Sequence, residues 1–540
     1  MNNKSTGVLF SVLALITSAS GQTIAISPLA PPPSSNPQTN QFRLGKLTVT
    51  GNTHTKLAVI LRMIPLNPGD IFNQSLWDFG IDQLNRSGLF EPIQPNDVTM
   101  KPDNLTGLVD IELHVKERDH QRVDFSGGGG TTGGASLSLD YSNSNLTGRA
   151  DRLAGRVRIG NRERSAGLNY SGMIYGNLPL SFDLSGFFER LEFVNASTAA
   201  QGNQPLFVEK TGGASIGAFI PLNKSRYAIS ATTRAGVVYS FTSTNLADAL
   251  LSGAAAPRSL EQGGLRIASL TPMLIHNTLD REFDPNRGQR LSVGLELAAR
   301  ALGGSLNTFK PYIDYRWFFI VGKTESVGER ERAAVGFRVR ASHIRAFGDQ
   351  FMAQALSTVR DVPVFKRFFV GGETEVRGYD FNSIAPLARV IRFAMTEGMP
   401  ATPISREVRP VGGDTELLFN AEYRVPIIWR LSGAAFFDIG SSFNARALTM
   451  ESFETATELQ STAAPATIIT VLKPLKPGQD FLPNYRYSLG GELRFPIPAL
   501  NIPLRLIFAW NPNAQKIFPD GALLAPEKQF TFRVGFSRTL

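Results

Sequence analysis

Apolar and polar positions follow two different rules along this chain. Phe42 to Thr50 alternates with a period of two, as a strand does, and stops at the turn dipeptide Gly51-Asn52. Apolar residues then take helical spacing at Leu57, Ile60, Leu61 and Ile64, with Thr53 or Thr55 placed to cap a helix starting near Lys56. Pro68-Gly69-Asp70 makes a loop, and a second helix carries Leu76, Phe79, Ile81 and Leu84 and ends near Gly88. Phe90 to Thr99 and Leu108 to Val115 read as two more strands. Residues 42–118 are thus expected to fold as one compact unit in the order β-α-α-β-β.

From residue 119 to residue 540 the helical period disappears. In the last strand, Phe530, Phe532, Val534 and Phe536 share one face while Thr531, Arg533 and Ser537 share the other. Strand signals and turn residues recur every ~20–25 residues, the spacing of a transmembrane strand plus a loop, which predicts about 16 strands. A soluble sandwich would alternate in the same way, so alternation alone does not separate the two.

Composition narrows this. The 540 residues include 50 Gly and 37 Phe, which suits an antiparallel β-protein. The chain has no Cys, so disulfides, thiolate metal sites and cysteine nucleophiles are excluded. A formal charge of +9 is spread along the strands with no block of five basic residues, which fits a polar lumen and solvated loops and gives no support for a nucleic-acid partner. Residues 1–21 read as a secretory signal, with Lys4 ahead of the apolar run Gly7 to Ile16. Residues 22–41 form a proline-rich linker, and no later segment offers 18 consecutive apolar residues. Such a chain is either a soluble exported protein or a β-barrel, since a closed barrel is the other way to satisfy the backbone in lipid.

Five groups of residues carry a resemblance. Gly51-Asn52, Pro68-Gly69-Asp70, Leu84, Gly88-Leu89-Phe90 and the stretch Val109 to Glu117 resemble a POTRA domain of outer-membrane assembly proteins. Asn145-Leu-Thr-Gly-Arg-Ala-Asp151 is similar to the N-L-F-G-x-G-D element that follows the first barrel strand in the BamA/TamA superfamily, with Thr147 and Ala150 as departures. Leu279 to Gly288 resembles that superfamily's periplasmic hairpin through Asp280, Arg281, Pro285 and Gly288. Phe368 to Tyr379 is similar to its F-x-x-G-G-x-x-x-x-R-G-F/Y signature through Gly371, Gly372, Arg377, Gly378 and Tyr379. Phe436, Asp438 and Gly440 match an F-x-D-x-G motif of a late barrel strand.

The last two motifs are linked by electrostatics. Alternation puts Asp438 on the lumen side of its strand, where a partly desolvated carboxylate needs a cation. The planar fork of Arg377 can bind it at two points, and Glu422, lumen-facing on the neighbouring motif Asn420 to Pro426, offers a second acceptor. The resemblance implies the same pairing, made by a long sixth extracellular loop around 366–415 folded into the barrel. Gly127, Gly128, Gly129 and Gly130 fall at the predicted first barrel strand, opposite the final strand with Phe530, Phe532 and Phe536. Glycines weaken strand pairing, so this seam reads either as a lateral gate or as ordinary strand curvature.

Enzyme readings find little. Gly213-Ala-Ser-Ile-Gly217 fits a nucleophile pattern but lies in an alternating strand, and the five histidines lack metal-ligand spacing. No cofactor is expected. The resemblance implies a mostly β protein, a transmembrane antiparallel barrel preceded by one small α+β POTRA domain, located in the bacterial outer membrane with the POTRA domain in the periplasm. It implies insertion and folding of β-barrel client proteins, with the lipid bilayer, unfolded clients and periplasmic chaperones or accessory subunits as partners. The alternatives are a polypeptide-secretion pore of the same superfamily and a passive porin or surface adhesin.

Overall fold

A computed structural model describes residues 42–128, 136–174, 180–193, 207–222, 232–247, 265–280, 285–321, 333–348, 362, 366–395, 402–428, 431–445, 451–456, 467–475, 485–497, 502–516 and 526–535. The expected signal and linker (1–41), Gly129, Gly130, Arg281 and Phe536 lie outside these residues.

The amino-terminal unit runs β1 (Arg43–Thr50), α1 (Leu57–Met63), α2 (Gln74–Ser87), β2 (Val98–Asp103) and β3 (Leu108–His114). Strand β3 is central, parallel to β1 and antiparallel to β2. Its alternation is strict: Val109, Ile111 and Leu113 are buried between exposed neighbours, and they pack on Ile60, Leu84 and Phe90. Asn73 caps α2 by accepting from the Ser75 and Leu76 amides at 2.9 and 3.3 Å, and Gly88 ends it with φ +72°.

The element order is the expected one, but three details differ. Helix α1 buries Val59, Ile60, Met63 and Ile64, while Leu57 and Leu61 are exposed; α2 buries Trp77 and Leu84 and exposes Leu76 and Phe79. Both helices carry apolar residues around much of their circumference, so spacing alone did not fix which stripe meets the sheet. No side chain caps α1, whose N-cap is Lys56; Thr53 and Thr55 bond elsewhere. The expected strand Phe90 to Thr99 is replaced by a single bridge from Phe90 to Glu117, a short 3-10 turn at Pro95–Asp97 and then β2, because Pro92 and Pro95 cannot donate to a ladder.

The remaining strands are β4 (Gln121–Gly128), β5 (Ser136–Asn143), β6 (Arg152–Gly160), β7 (Glu163–Ile174), β8 (Leu180–Phe193), β9 (Phe207–Pro221) and β10 (Thr233–Ala247). After them come β11 (Leu265–Asn277), β12 (Gly288–Ala298), β13 (Thr308–Ile320), β14 (Ala334–His343) and β15 (Arg345–Ala346). Strands β16 (Leu387–Met395), β17 (Thr402–Pro410), β20 (Glu451–Ala456) and β21 (Thr467–Pro474) form a separate four-stranded sheet. The rest are β18 (Thr415–Ile428), β19 (Leu431–Phe443), β22 (Tyr485–Ile497), β23 (Ile502–Trp510) and β24 (Phe530–Gly535).

Seventeen of these close into an antiparallel barrel in which β24 neighbours β4. The two-residue β15 pairs with β13 directly beyond β14, so it continues β14, and the wall has sixteen staves. Leu137, Ile159, Leu168, Phe508, Phe530 and Phe532 all stand exposed on the outer face, the apolar band a barrel presents to lipid. In β24 the inner positions Thr531 and Arg533 are less exposed than Phe530 and Phe532, as the sequence alternation predicts. The wall is uneven: β6 has 9 residues, against 15 in β9 and in β10. The stretch Gly213 to Gly217 lies inside β9, paired on both sides, with no turn for a nucleophile.

Asn145 to Asp151 follows β5, the second barrel strand, where the resemblance had placed it after the first. There it meets the amino-terminal unit. The Lys56 amide donates to the Gly148 carbonyl at 2.9 Å, Asn145 Nδ2 donates to Thr55 Oγ1 at 2.9 Å, and His54 Nε2 lies 2.6 Å from the Asn145 carbonyl oxygen. Gly148 has φ +77°, and a Cβ there would collide with the His54 carbonyl. Glu117 completes the junction by accepting from Thr53 Oγ1 at 2.7 Å and from the Thr55 amide at 2.6 Å. Burial opposes ionisation of Glu117, but the bonds from Thr55, Thr53 and the His54 amide outweigh it and bring its carboxyl from 4.5 to about 2.

A depressed carboxyl stabilises the fold above its unfolded pKa and loses that contribution as pH falls through the folded value, here between 4.5 and about 2. Because Glu117 is largely solvated, screening reduces this to about 1 kcal/mol or less. Glu117→Ala should lower amide-exchange protection at His54 and Thr55 several-fold at neutral pH, as should acidifying the unmodified protein toward pH 2. Unchanged protection in the variant would show that Glu117 does not hold the junction.

Candidate functional site: a buried arginine latch in the barrel

Between β15 and β16, the segment 366–386 lies inside the barrel. Single bridges from Phe368 to Gly413 and from Val370 to Ile384 tie its entry and exit to the chain that leads back toward the rim. Gly371, Gly372 and Gly378 have φ of +122°, +110° and +94°, conformations that other residues adopt only with strain. At Gly378 a Cβ would also fall 2.7 Å from Ala509 Cβ, so the turn sits too close to the wall for any side chain. Val370, Val376, Tyr379 and Ile384 pack on Leu418 of β18, an apolar seat beneath the polar site. Gly440 belongs to the same seat, since a Cβ there would lie 2.6 Å from Val376 Cγ2 and 2.8 Å from Val370 Cγ1.

This packing delivers Arg377 to the inner faces of β18, β19 and β22, where it is 1% exposed. Its Nε and Nη2 donate to the two carboxylate oxygens of Asp438 at 2.7 and 2.8 Å, and its backbone amide donates to Asp438 Oδ2 at 3.1 Å. Nη1 donates to Glu422 at 2.7 Å and to Glu492 at 3.2 Å. The guanidinium carbon lies 3.8 Å from the ring centroid of Phe436. Asn420 Nδ2 bonds both Asp438 Oδ1 at 2.8 Å and the Glu375 carbonyl at 2.6 Å. A buried guanidinium on this scale is tolerated only when its donors are met, and these bonds engage all three of its nitrogens.

The cluster extends past the expected pair. Arg424 and Arg494 each donate to Glu422 Oε1 at 2.5 Å, while Arg494 and Arg505 donate to Glu492 Oε1 at 2.7 and 2.6 Å. Sequence reading singled out Arg377, Asp438 and Glu422 but missed Asn420, Arg424, Glu492, Arg494 and Arg505. For four of them the signal is a charged or amide side chain at every second position of a strand, Asn420-x-Glu422-x-Arg424 and Glu492-x-Arg494, whereas Arg505 stands between Pro503 and Ile507 with no such pattern. Within one strand that pattern reads as a solvated face, and only the barrel register brings the rows together.

Arg533 ties the latch to the closing strand β24, donating to Asp380 at 2.5 Å and to the Gly378 carbonyl at 3.3 Å, while Tyr379 donates its hydroxyl to Asn513 Oδ1, in the turn after β23, at 3.0 Å. Gly127 and Gly128 lie in β4, paired with Leu137 and Ser136 of β5, while Phe530 and Phe532 point outward, away from the latch. The hairpin residues sit at the opposite rim: Asp280 accepts from the Asn286 and Arg287 amides at 3.0 and 3.2 Å, and Gly288 takes φ +100°. Pro285 is buried, and its carbonyl accepts from Arg424 at 3.0 Å, so the hairpin also reaches the ion cluster.

Removing one partner of a buried, hydrogen-bonded pair strands the other charge, at a cost of about 3–5 kcal/mol. Arg377→Ala and Asp438→Ala should each lower the unfolding midpoint of the lipid-reconstituted barrel, and the double variant should be destabilised by clearly less than their sum. Strict additivity in denaturant titrations would show the two residues to be energetically independent. Gly440→Ala, which leaves every charge in place, should also expel the loop, detectable as new protease sensitivity around Glu373 to Tyr379.

Residues 145–537 match the Omp85 superfamily domain, and residues 42–118 match the POTRA description, surface antigen variable number repeat. The outer membrane protein assembly factor BamA of Neorickettsia risticii is 25% identical over 412 residues, covering 75% of this chain and 47% of that protein. The chain therefore spans about half the length of the curated relatives it matches. Among solved structures, BamA from Haemophilus ducreyi lacking POTRA domains 1–3 superposes with a TM-score of 0.59 at 17% identity, covering 92% of this chain and 84% of that one. CdiB from Acinetobacter baumannii gives a TM-score of 0.51 at 14% identity, covering 92% and 74%. A lipid-facing barrel, a POTRA unit at its periplasmic rim and a domain match over most of the chain lead to one conclusion: the protein belongs to the Omp85 superfamily and is an outer-membrane β-barrel with a periplasmic POTRA domain.

Proposed function

We propose that the protein inserts and folds other β-barrel proteins in the outer membrane, with unfolded barrel clients and periplasmic accessory proteins as its partners. The observation that carries this reading is the path from the latch to the closing strand. Arg533 on β24 is held by Asp380 and the Gly378 carbonyl, next to the residue that is locked into the lumen cluster. The latch thereby braces the barrel wall while the join between β24 and β4 remains the place where the wall can part. An incoming strand must keep its backbone groups paired in lipid, since each unsatisfied group there costs several kcal/mol. A strand edge exposed at the join offers that pairing by β-augmentation.

The uneven wall supports the same reading. Strand β6, the third from the join, is 9 residues long and would span less of the bilayer than the 15-residue β9 and β10 further round the wall. A locally thinned membrane lowers the barrier to insertion. The reading assigns no covalent chemistry to the chain. BamA of Neorickettsia risticii is named an outer membrane protein assembly factor, in agreement with this role, whereas the likeness to CdiB concerns the fold.

Depletion of the protein should reduce many outer-membrane barrels at once in quantitative proteomics; loss of a single secreted polypeptide would instead identify a secretion pore. A disulfide engineered between β4 and β24 should block client insertion into proteoliposomes, and reductant should restore it. Full insertion by the oxidised protein would exclude opening at this join.

A further inference from the structure

The POTRA unit and the barrel enclose an open cavity of about 790 Å³ between α1 and the turn Asn145 to Asp151. Its barrel side is the outer, lipid-facing surface. Tyr170 pairs across the sheet with Leu153 and Leu184, in the same outward-facing set as Leu168 and Phe188, and Ile174 and Phe182 extend that set to the periplasmic rim. Its other side carries Lys56 and Arg62 from the POTRA unit and Arg149 from the turn, all three exposed.

One carboxylate, Asp151, lines the same space. It is committed to the turn, accepting from the Thr147 amide and hydroxyl at 2.9 Å each and from the Tyr170 hydroxyl at 3.0 Å. The cavity therefore combines an excess of positive charge with an apolar wall, at the height of the lipid headgroups. A soluble anion would use the cations and leave the apolar wall unoccupied. A phospholipid uses both.

We propose that this cavity binds an anionic phospholipid of the periplasmic leaflet, its phosphate held by Lys56, Arg62 and Arg149 and its acyl chains lying along Ile174 and Phe182. The lipid would bridge the POTRA unit to the barrel wall and fix the angle between them. The site is distinct from the lumen latch and from the join between β4 and β24, so it stands or falls apart from the insertion role.

The test uses the full chain in detergent, titrated with short-chain phosphatidylglycerol and read by native mass spectrometry without any client. Each basic residue near a membrane surface contributes about 1 kcal/mol, so the triple variant Lys56→Ala/Arg62→Ala/Arg149→Ala should bind on the order of a hundredfold more weakly. The charge-preserving variant Lys56→Arg/Arg62→Lys/Arg149→Lys should bind as the unmodified protein does. Diacylglycerol, which lacks the phosphate, should bind poorly, and millimolar inorganic phosphate should not displace the lipid. If the triple variant does not fold, Arg149→Ala alone should still weaken binding about fivefold. Equal affinity in the alanine variants, loss of binding in the charge-preserving one, or displacement by inorganic phosphate would each overturn the proposal.

Discussion

A guanidinium sealed inside a barrel is a liability until its partners are in place, and the structure around Arg377 is organised by that constraint. Moving an arginine and three carboxylates out of water costs several kcal/mol per ion, which only close, multiple contacts offset. Asp438 supplies a two-point contact, Glu422 and Glu492 engage the remaining edge, and Arg424, Arg494 and Arg505 balance those glutamates from behind. Such a cluster has one good geometry and many bad ones. It therefore fixes the depth and orientation of the loop more sharply than apolar packing alone would.

The glycines follow from the same constraint. Gly378 lets the loop backbone reach the wall, and Gly440 lets the wall receive Val370 and Val376. The two family motifs are thus halves of one contact: the arginine arrives on a loop whose glycines permit its approach, and the aspartate waits on a strand whose glycine leaves the space. Through Arg533 the contact also reaches β24, the strand that completes the barrel.

At the periplasmic end the turn after β5 serves two masters. It ends a barrel hairpin, and its backbone and Asn145 also receive the POTRA unit through Thr55, Lys56 and His54. Glu117 fastens the same stretch from the opposite side. The POTRA unit is therefore seated against the rim through its residues 53–56, and α1 is brought over the outer wall.

Local pattern divided the chain into two parts, mixed periods over residues 42–118 and period two with an apolar face beyond them, while the family motifs, not the alternation, pointed to a POTRA unit and a barrel. It also revealed Arg377 and Asp438 as a pair, because a lone charge on a lumen face demands a partner and the glycine-framed arginine was the evident donor. What the sequence did not contain was which charges converge. Glu492, Arg494 and Arg505 are separated from Arg377 by more than a hundred residues and meet it only because β22 and β23 pair in one particular register. Likewise the helical stripes of α1 were ambiguous until the sheet covered one of them, and the Asn145 turn showed its second role only once the POTRA unit lay against it. Periodicity is a property of neighbours in the chain and survives in the sequence; electrostatic convergence is a property of neighbours in space, and only barrel closure supplies it.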